Sequence, residues 1–203
     1  MRKSRRSPKR FPMRMAPGQG LAIAMIVGIL LGQSRDFFRF DNGAGGPDWQ
    51  IGKPLITLGT AHQGRSLAES RALALQLVNR DRRLNGLKPL VEDPVLAEAA
   101  QRHAQDMLDR NYYDHVTPEG KTPSDRFAAL GGKGGAGENI MKMEGAAGVV
   151  LNFKLIEENQ KGWMYSPGHR ENLLLPDYTH FGYGIVVDSL VGKVYAVQNF
   201  TTR

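Results

Sequence analysis

The segment Gly162–Asn172, GWMYSPGHREN, contains the features around which the rest of the chain is organised. Its Pro167-Gly168 pair predicts a turn, because proline and glycine are the residues that most often interrupt helices. Trp163 lies before the turn and is interpreted as a core residue, whereas His169 follows the turn directly. The segment therefore predicts a helix, a tight turn and a second short helix that presents one imidazole.

Two polar segments upstream, Asp114-His115 and Gly137–Asn139, are expected to lie near this imidazole in the fold. We predict that His115, Glu138 and His169 converge on a shallow cleft, which Asn139 and Ser166 also line. Two neutral imidazoles and one carboxylate can hold a divalent ion such as zinc and leave positions open for water. The same residues are compatible with a hydrogen-bonded cluster, in which Glu138 orients one histidine and joins two loops. Spacing along the chain does not decide between a metal site and a structural cluster.

Other polar residues are weaker candidates for a site. His103 lies on an apolar helical face, which predicts a partly buried histidine with satisfied hydrogen bonds, and His180 begins a strand as a structural or surface residue. Ser166 precedes His169 by three residues, as in a Ser-His-Glu hydrolase. However, Met164 stands where a G-x-S-x-G nucleophile elbow requires glycine, so the serine is expected to cap or turn the chain. The sequence also contains no H-E-x-x-H pattern, which excludes a zincin-type metal site.

From Leu67 onward, the hydrophobic periodicity predicts a domain in which helices come first and a hairpin comes last. Helices are predicted over Leu67–Leu84, Pro94–Leu108, Ser124–Leu130, Gly148–Tyr165 and His169–Leu174. Strands are predicted over Glu138–Met143, Phe181–Asp188 and Lys193–Thr201, and Pro89–Val91 is expected to be extended. This order indicates the α+β class, with a layered architecture.

The charge and the cysteine content exclude several classes of function. The chain has 27 Lys and Arg against 20 Asp and Glu, but seven of the cations lie within the first 14 residues. The remaining 20 cations equal the acids in number, so the globular part is close to neutral and no nucleic-acid partner is expected. The absence of cysteine excludes disulfides, thiol nucleophiles and thiolate metal sites.

The N-terminal region predicts export or anchoring. The uncharged apolar run Leu21–Leu31 follows the cations and spans about 17 Å as a helix, against about 30 Å for the hydrocarbon core. This length is typical of a secretory signal, and no good cleavage site follows, so an uncleaved signal anchor is the alternative. The flanking cations place the domain outside the cytoplasm in either case. We divide the chain into a signal or anchor region (1–35), a linker (36–66) and a domain (67–203).

Seven short motifs occur in one order and together resemble the CAP superfamily, also called SCP-like or pathogenesis-related-1-like, in its bacterial form. They are NRDRRLNGLKPL (79–90), AAQRHAQDM (99–107), YDH (113–115), GENI (137–140), WMYSPGHRENL (163–173), YTHFGYG (178–184) and QNF (198–200). The resemblance implies an α-β-α sandwich with a central antiparallel sheet, in a secreted or surface protein. It also implies that His115, His169 and Glu138 form the family's pocket, with which divalent metal is associated. The second acid that larger members carry shortly after Trp163 is missing here.

Three functions are compatible with these observations. The first is a binding module for a lipid, a cell-envelope component or a partner protein, attached to the membrane through the N-terminal segment or secreted after cleavage. The second is a hydrolase, either metal-assisted or with His169 as a general base that Glu138 orients. The third is a structural envelope protein in which the histidine cluster only braces loops. The missing acid and the lack of a convincing nucleophile favour binding.

Overall fold

The computed structural model describes residues 49–55 and 62–202. The predicted basic region and hydrophobic segment lie outside these residues, as do most of the linker and residues 56–61. The helices are α1 (Leu67–Leu84), α2 (Pro94–Asp109), α3 (Pro123–Ala129), α4 (Phe153–Tyr165) and α5 (Pro167–Leu173). The strands are β1 (Val91–Glu92), β2 (Gly137–Glu144), β3 (His180–Asp188) and β4 (Lys193–Thr201). Within the described residues, no helix is both long enough and apolar enough to cross a membrane.

The strands form one sheet in the order β1-β3-β4-β2. The predicted hairpin of β3 and β4 runs antiparallel, with His180 opposite Thr201 and Asp188 opposite Lys193. Strand β2 pairs antiparallel with β4 on the other side, so that Glu138 lies opposite Asn199. The two-residue strand β1 adds a parallel pair at the far edge, which the expectation of an antiparallel sheet did not include.

Helices cover both faces of the sheet, which confirms the α-β-α sandwich. On one face, side chains of α1 and α4 such as Leu77 and Ile156 pack with alternate residues of β4, including Ala196. On the other face, α2 packs with the intervening residues, such as Val197. Because successive side chains of a strand point to opposite faces, the central strand is buried on both sides and serves both cores.

Two glycines let α2 approach the sheet closely. A Cβ atom built on Gly184 would lie 2.3 Å from the amide nitrogen of Gln101 and 2.4 Å from the carbonyl carbon of Ala100. One on Gly182 would lie 2.2 Å from the amide nitrogen of Ala97. These contacts involve helix backbone, so no side-chain rotation would relieve them. The helix therefore lies at a distance from β3 that any side chain at these two positions would prevent.

Local capping explains where the helices begin. Ser66 and Glu69 form the predicted capping box at the start of α1. Helix α4 begins at Phe153 rather than at the predicted Gly148, because Gly148 has a φ of +92° and Asn152 accepts a hydrogen bond from the Leu155 amide as the cap. A glycine in the left-handed region cannot continue a right-handed helix, so the predicted first turn is a loop.

Side chains occupy part of the sheet edge that β2 forms. The carbonyl oxygen of Ile140 accepts hydrogen bonds from the Tyr113 hydroxyl and the Trp163 indole, each at 3.1 Å. The carbonyl oxygen of Glu138 accepts another from the Asn172 amide at 3.1 Å. These donors come from both layers of the sandwich and satisfy acceptors that an edge strand otherwise leaves unpaired.

Candidate functional site

The side chain of Glu138 forms the centre of a buried polar cluster at the start of β2. Its side chain is only 1% exposed. One carboxylate oxygen, Oε1, lies 3.0 Å from Nδ1 of His115, and the other, Oε2, accepts a hydrogen bond from Nη2 of Arg126 at 2.5 Å. A buried carboxylate is tolerated when it is both charge-paired and hydrogen-bonded. Both oxygens of Glu138 are therefore engaged by groups of the protein itself.

Arg126 joins the helix α3 to the loop that carries His115. Its Nη1 donates to the carbonyl oxygens of His115 and Lys121, at 2.8 Å and 3.0 Å. A capping box between Thr122 and Asp125 fixes the start of α3 and so the position of the guanidinium. No sequence pattern indicates this role, because a basic residue on a short helix is most often solvated. The fork of an arginine nevertheless suits a carboxylate and two carbonyls at once.

His115 is the most exposed member of the cluster, with 49% of its side chain accessible. The hydrogen bond to Glu138 raises the pKa of His115, whereas partial burial acts in the opposite direction with a smaller effect. In the neutral imidazole, donation from Nδ1 to the carboxylate leaves the lone pair on Nε2. That nitrogen is the one that remains for a ligand.

The structure places His169 within electrostatic range of His115. Burial lowers the pKa of His169, and the charge of His115 lowers it further. Its Nδ1 is buried and has no hydrogen-bond partner in the described part of the chain. The hypothesis that Glu138 orients His169 is wrong in this geometry, because the carboxylate bonds to His115. What positions His169 instead is a hydrogen bond of 3.1 Å from the Asn139 amide to its carbonyl oxygen.

A third imidazole, that of His103, belongs to the same cluster. The prediction of a buried, hydrogen-bonded histidine is correct, since His103 is 1% exposed and its Nε2 lies 3.0 Å from the carbonyl oxygen of Asp114. The same nitrogen lies 3.7 Å from Glu138 Oε1, which the sequence analysis did not anticipate. Two acceptors facing Nε2 require that nitrogen to carry the proton. Burial is the main cause of the lowered pKa of His103, so the ring is a neutral donor.

Ser166 connects α4 to α5 and occupies the cap position of α5. Ser166 is therefore the N-cap residue that the sequence predicts, but its side chain makes no capping hydrogen bond. The described hydrogen bonds include none between Ser166 and His169. The cluster thus lacks the nucleophile–base hydrogen bond on which activation of a serine depends.

The predicted metal ligands do not form a three-ligand site. Among residues 49–55 and 62–202, no group of three His, Asp or Glu side chains has an arrangement that could hold an ion. The physical reason is the engagement of Glu138, whose oxygens face His115 and Arg126. A cation placed on Oε2 would have to displace the guanidinium of Arg126, and one placed on Oε1 would compete with His115. What the cluster presents outward is imidazole nitrogen rather than carboxylate oxygen.

His115 and His169 are expected to titrate apart. In full-length protein labelled at histidine, NMR titration of the imidazole signals should give a pKa above about 6.5 for His115 and below it for His169. Replacing Glu138 by glutamine should bring the pKa of His115 down, because the glutamine does not supply the charge that stabilises imidazolium. A His115 value unchanged in Glu138→Gln would contradict the hydrogen-bonded pair.

Comparison with known proteins identifies the family. The sequence profile described as CAP, the cysteine-rich secretory protein family, matches residues 75–200. The uncharacterised protein YkwD of Bacillus subtilis (strain 168) is 42% identical over 113 residues, which cover 55% of this chain and 40% of that protein. The uncharacterised membrane protein YlbC of the same strain is 36% identical over 129 residues, which cover 64% of this chain and 33% of that protein. This chain therefore matches less than half the length of either relative.

Solved structures agree with this assignment. An extracellular protein containing an SCP domain, from Bacillus anthracis strain Ames, has 32% identity and a TM-score of 0.53. The match covers 67% of this chain and 41% of that one. An outer surface protein from Borrelia burgdorferi has a TM-score of 0.54 at 17% identity, covering 70% of this chain and 98% of that one, and shows the fold alone. The profile match, the relatives and the sandwich architecture lead to one conclusion: this chain belongs to the CAP family.

Proposed function

We propose that this CAP domain is a binding module that works outside the cytoplasm and holds an anionic group of an envelope component, a lipid or a partner protein. The single observation that carries the proposal is the state of Glu138. Its carboxylate is 1% exposed and is taken up by His115 and Arg126, whereas the His115 side chain is about half exposed. The cluster therefore offers imidazole to a ligand and keeps its acid for internal support.

The electrostatics of the cluster favour an anion. Arg126 offsets the charge of Glu138, so a proton on His115 leaves a net positive site. Because hydrogen bonding to Glu138 raises the pKa of His115, the cationic form persists to higher pH than in a free histidine. His169, whose pKa is lowered, remains neutral and supplies a hydrogen bond to the same anion. A carboxylate or phosphate group suits this pair of partners.

The location outside the cytoplasm rests on two supports. The cations before Leu21–Leu31 predict an N-terminus in the cytoplasm and a domain on the other side of the membrane. One relative is named as a membrane protein and one structural neighbour as extracellular. Attachment by the N-terminal segment, or release after its cleavage, is part of the same proposal, with 67–203 as the working domain.

Binding of sulfate to full-length protein in detergent micelles tests the proposal, because sulfate keeps both charges over the whole pH range used. Sulfate should shift the imidazole NMR signals of His115 and His169, and should bind several-fold more tightly at about pH 6 than at about pH 8. His115→Ala should abolish the shift at His169, whereas His180→Ala should leave it unchanged. If sulfate shifts neither signal, or shifts His169 equally in His115→Ala, the proposal is wrong.

The same protein distinguishes the alternatives. A zinc-dependent rise in melting temperature that both His115→Ala and Glu138→Gln abolish would favour a metal site over an anion site. The one observation that favours a hydrolase is that the pKa values of His115 and His169 are pushed apart, as in an acid–base pair. Turnover of a nitrophenyl ester that His169→Ala removes would support it. If the substitutions change stability alone, the cluster only braces loops.

A further inference from the structure

The residues Trp49–Leu55, here called the N-terminal strap, lie against the domain rather than forming a free linker. The side chain of Asn85 bonds the backbone of Gln50 in both directions at 2.7 Å. The amide of Leu55 donates to Glu157 at 2.5 Å, and Ile51 packs on the core. The strap therefore contacts both α1 and α4, the two helices that cover one face of the sheet.

One end of the strap contacts the helix that carries His169. The indole of Trp49 packs edge-on against the ring of Tyr165, with the ring centroids 5.4 Å apart. The guanidinium of Arg170 lies over the same indole, 4.4 Å from the ring centroid, and also donates to the Met164 carbonyl at 2.9 Å. A cation over an indole face is attracted by the ring. Trp49 thus holds the junction of α4 and α5 one residue away from His169.

The middle of the strap is connected to His169 by a chain of hydrogen bonds through the core. The amide of Gly52 donates to Oδ1 of Asp81 at 2.9 Å, and Oδ2 of Asp81 accepts from the Gln160 amide at 2.8 Å. Gln160 Oε1 accepts from Gln198 at 2.9 Å, and Gln198 Oε1 accepts from Asn139 at 3.2 Å. All four side chains in this row, which we call the amide row, are buried. The row ends at the Asn139 amide that also binds the His169 carbonyl.

All hydrogen bonds of the amide row run in the same direction, from donor to acceptor. Each amide in it donates towards Asp81, whose carboxylate is 1% exposed and also pairs with Arg80. A carboxylate at the end of such a row fixes which way every amide points, because reversing any one of them would place two acceptors or two donors together. The row that ends at Asp81 and the Asn172 amide, which donates to Asn139 Oδ1 at 3.0 Å, together fix the orientation of Asn139 and so its bond to His169.

We propose that Trp49 and Asp81 are positioning residues, through which the N-terminal strap holds His169 in its ligand-facing orientation. This inference rests on the proposed function, because the position of His169 matters for binding only if His169 contacts the anion. Two independent sets of contacts support it: Trp49 on Arg170 from outside, and the amide row from inside. Neither residue would touch the ligand. Both act on His169 through the helix and the backbone carbonyl that they fix.

Reaction with diethyl pyrocarbonate tests the positioning without any ligand, because the reagent modifies neutral, accessible imidazoles. In full-length protein, Trp49→Ala should raise the modification rate of His169 by at least about threefold, as α5 opens locally. The rate at His115, which Glu138 and Arg126 hold, should change little. Gln50→Ala is the matched control, since the hydrogen bonds described for Gln50 are made by its backbone to Asn85. Trp49→Phe should keep most of the protection.

The outcomes separate positioning from simple stabilisation. Arg170→Met removes the contact with Trp49 from the other side, together with the hydrogen bond to the Met164 carbonyl. It should reproduce the change at His169, which keeps the test open if Trp49→Ala fails to fold. Equal acceleration at His115 and His169, or no change in either Trp49→Ala or Arg170→Met, would overturn the proposal. A change confined to His169 in a protein that does not bind sulfate would support positioning while refuting the proposed function.

Discussion

Replacing Gly184 by alanine is expected to destabilise the domain by about 3 kcal/mol, the upper part of the range for overpacking. The added methyl group would lie 2.3 Å from the amide nitrogen of Gln101 and 2.4 Å from the carbonyl carbon of Ala100. These atoms belong to the backbone of α2, so the whole helix has to move away from β3. That movement opens the core in which Ala100 and Val197 pack. Urea denaturation of the purified full-length protein measures the loss.

Gly168→Ala is the matched control for this substitution. A Cβ atom there would meet nothing within 4 Å, and the residue lies inside α5 with no positive φ. Alanine is a better helix former than glycine by up to about 1 kcal/mol, so this variant should be neutral or slightly more stable. A Gly184→Ala protein as stable as Gly168→Ala would show that α2 does not lie at the distance described.

Replacing Arg126 by methionine should lower the free energy of unfolding by a similar amount, about 3 kcal/mol, and the reason here is electrostatic. Methionine fills much of the same volume, but it leaves the Glu138 carboxylate buried without its guanidinium partner. The two side chains are 9% and 1% exposed, so water cannot readily replace the lost contact. Loosening of the His115 loop should follow, because Nη1 of Arg126 also holds the His115 carbonyl at 2.8 Å.

An exposed ion pair provides the control for Arg126. Arg102 pairs with Glu98 one turn away, with exposed side-chain fractions of 65% and 45%, and Arg102→Met should change stability by less than about 0.5 kcal/mol. Adding Glu138→Gln to Arg126→Met should recover part of the loss, since the uncompensated charge is then absent. If the double variant is no more stable than Arg126→Met, the cost lies in packing and not in the unpaired carboxylate.

The architecture was largely readable from the sequence because strong local signals coincide with it. Ser66 with Glu69, and Asp93 followed by Pro94, mark helix starts that the structure confirms. The hairpin at the C-terminus was also predictable, since its strands, which are buried on both faces, are rich in β-branched and aromatic residues. The start of α4 was misplaced, because the positive φ of Gly148 leaves no trace in hydrophobic periodicity.

The candidate site was harder to predict, since its contacts join distant parts of the chain. The sequence indicated His115, Glu138 and His169, but not which histidine the acid would contact. Arg126 was missed because a guanidinium on a short helix looks like a solvated charge until the fold places it over a buried carboxylate. His103 was assigned correctly to the interior, yet its approach to Glu138 depends on how α2 lies on the sheet.

The covered edge of β2 has a consequence for how the protein behaves among its own copies. A bare edge strand can template a strand from a neighbouring molecule. Here Tyr113 and Trp163 occupy the Ile140 carbonyl, and Asn172 occupies that of Glu138. These side chains therefore occupy two acceptors that a strand from a second molecule would need in order to pair with this part of β2.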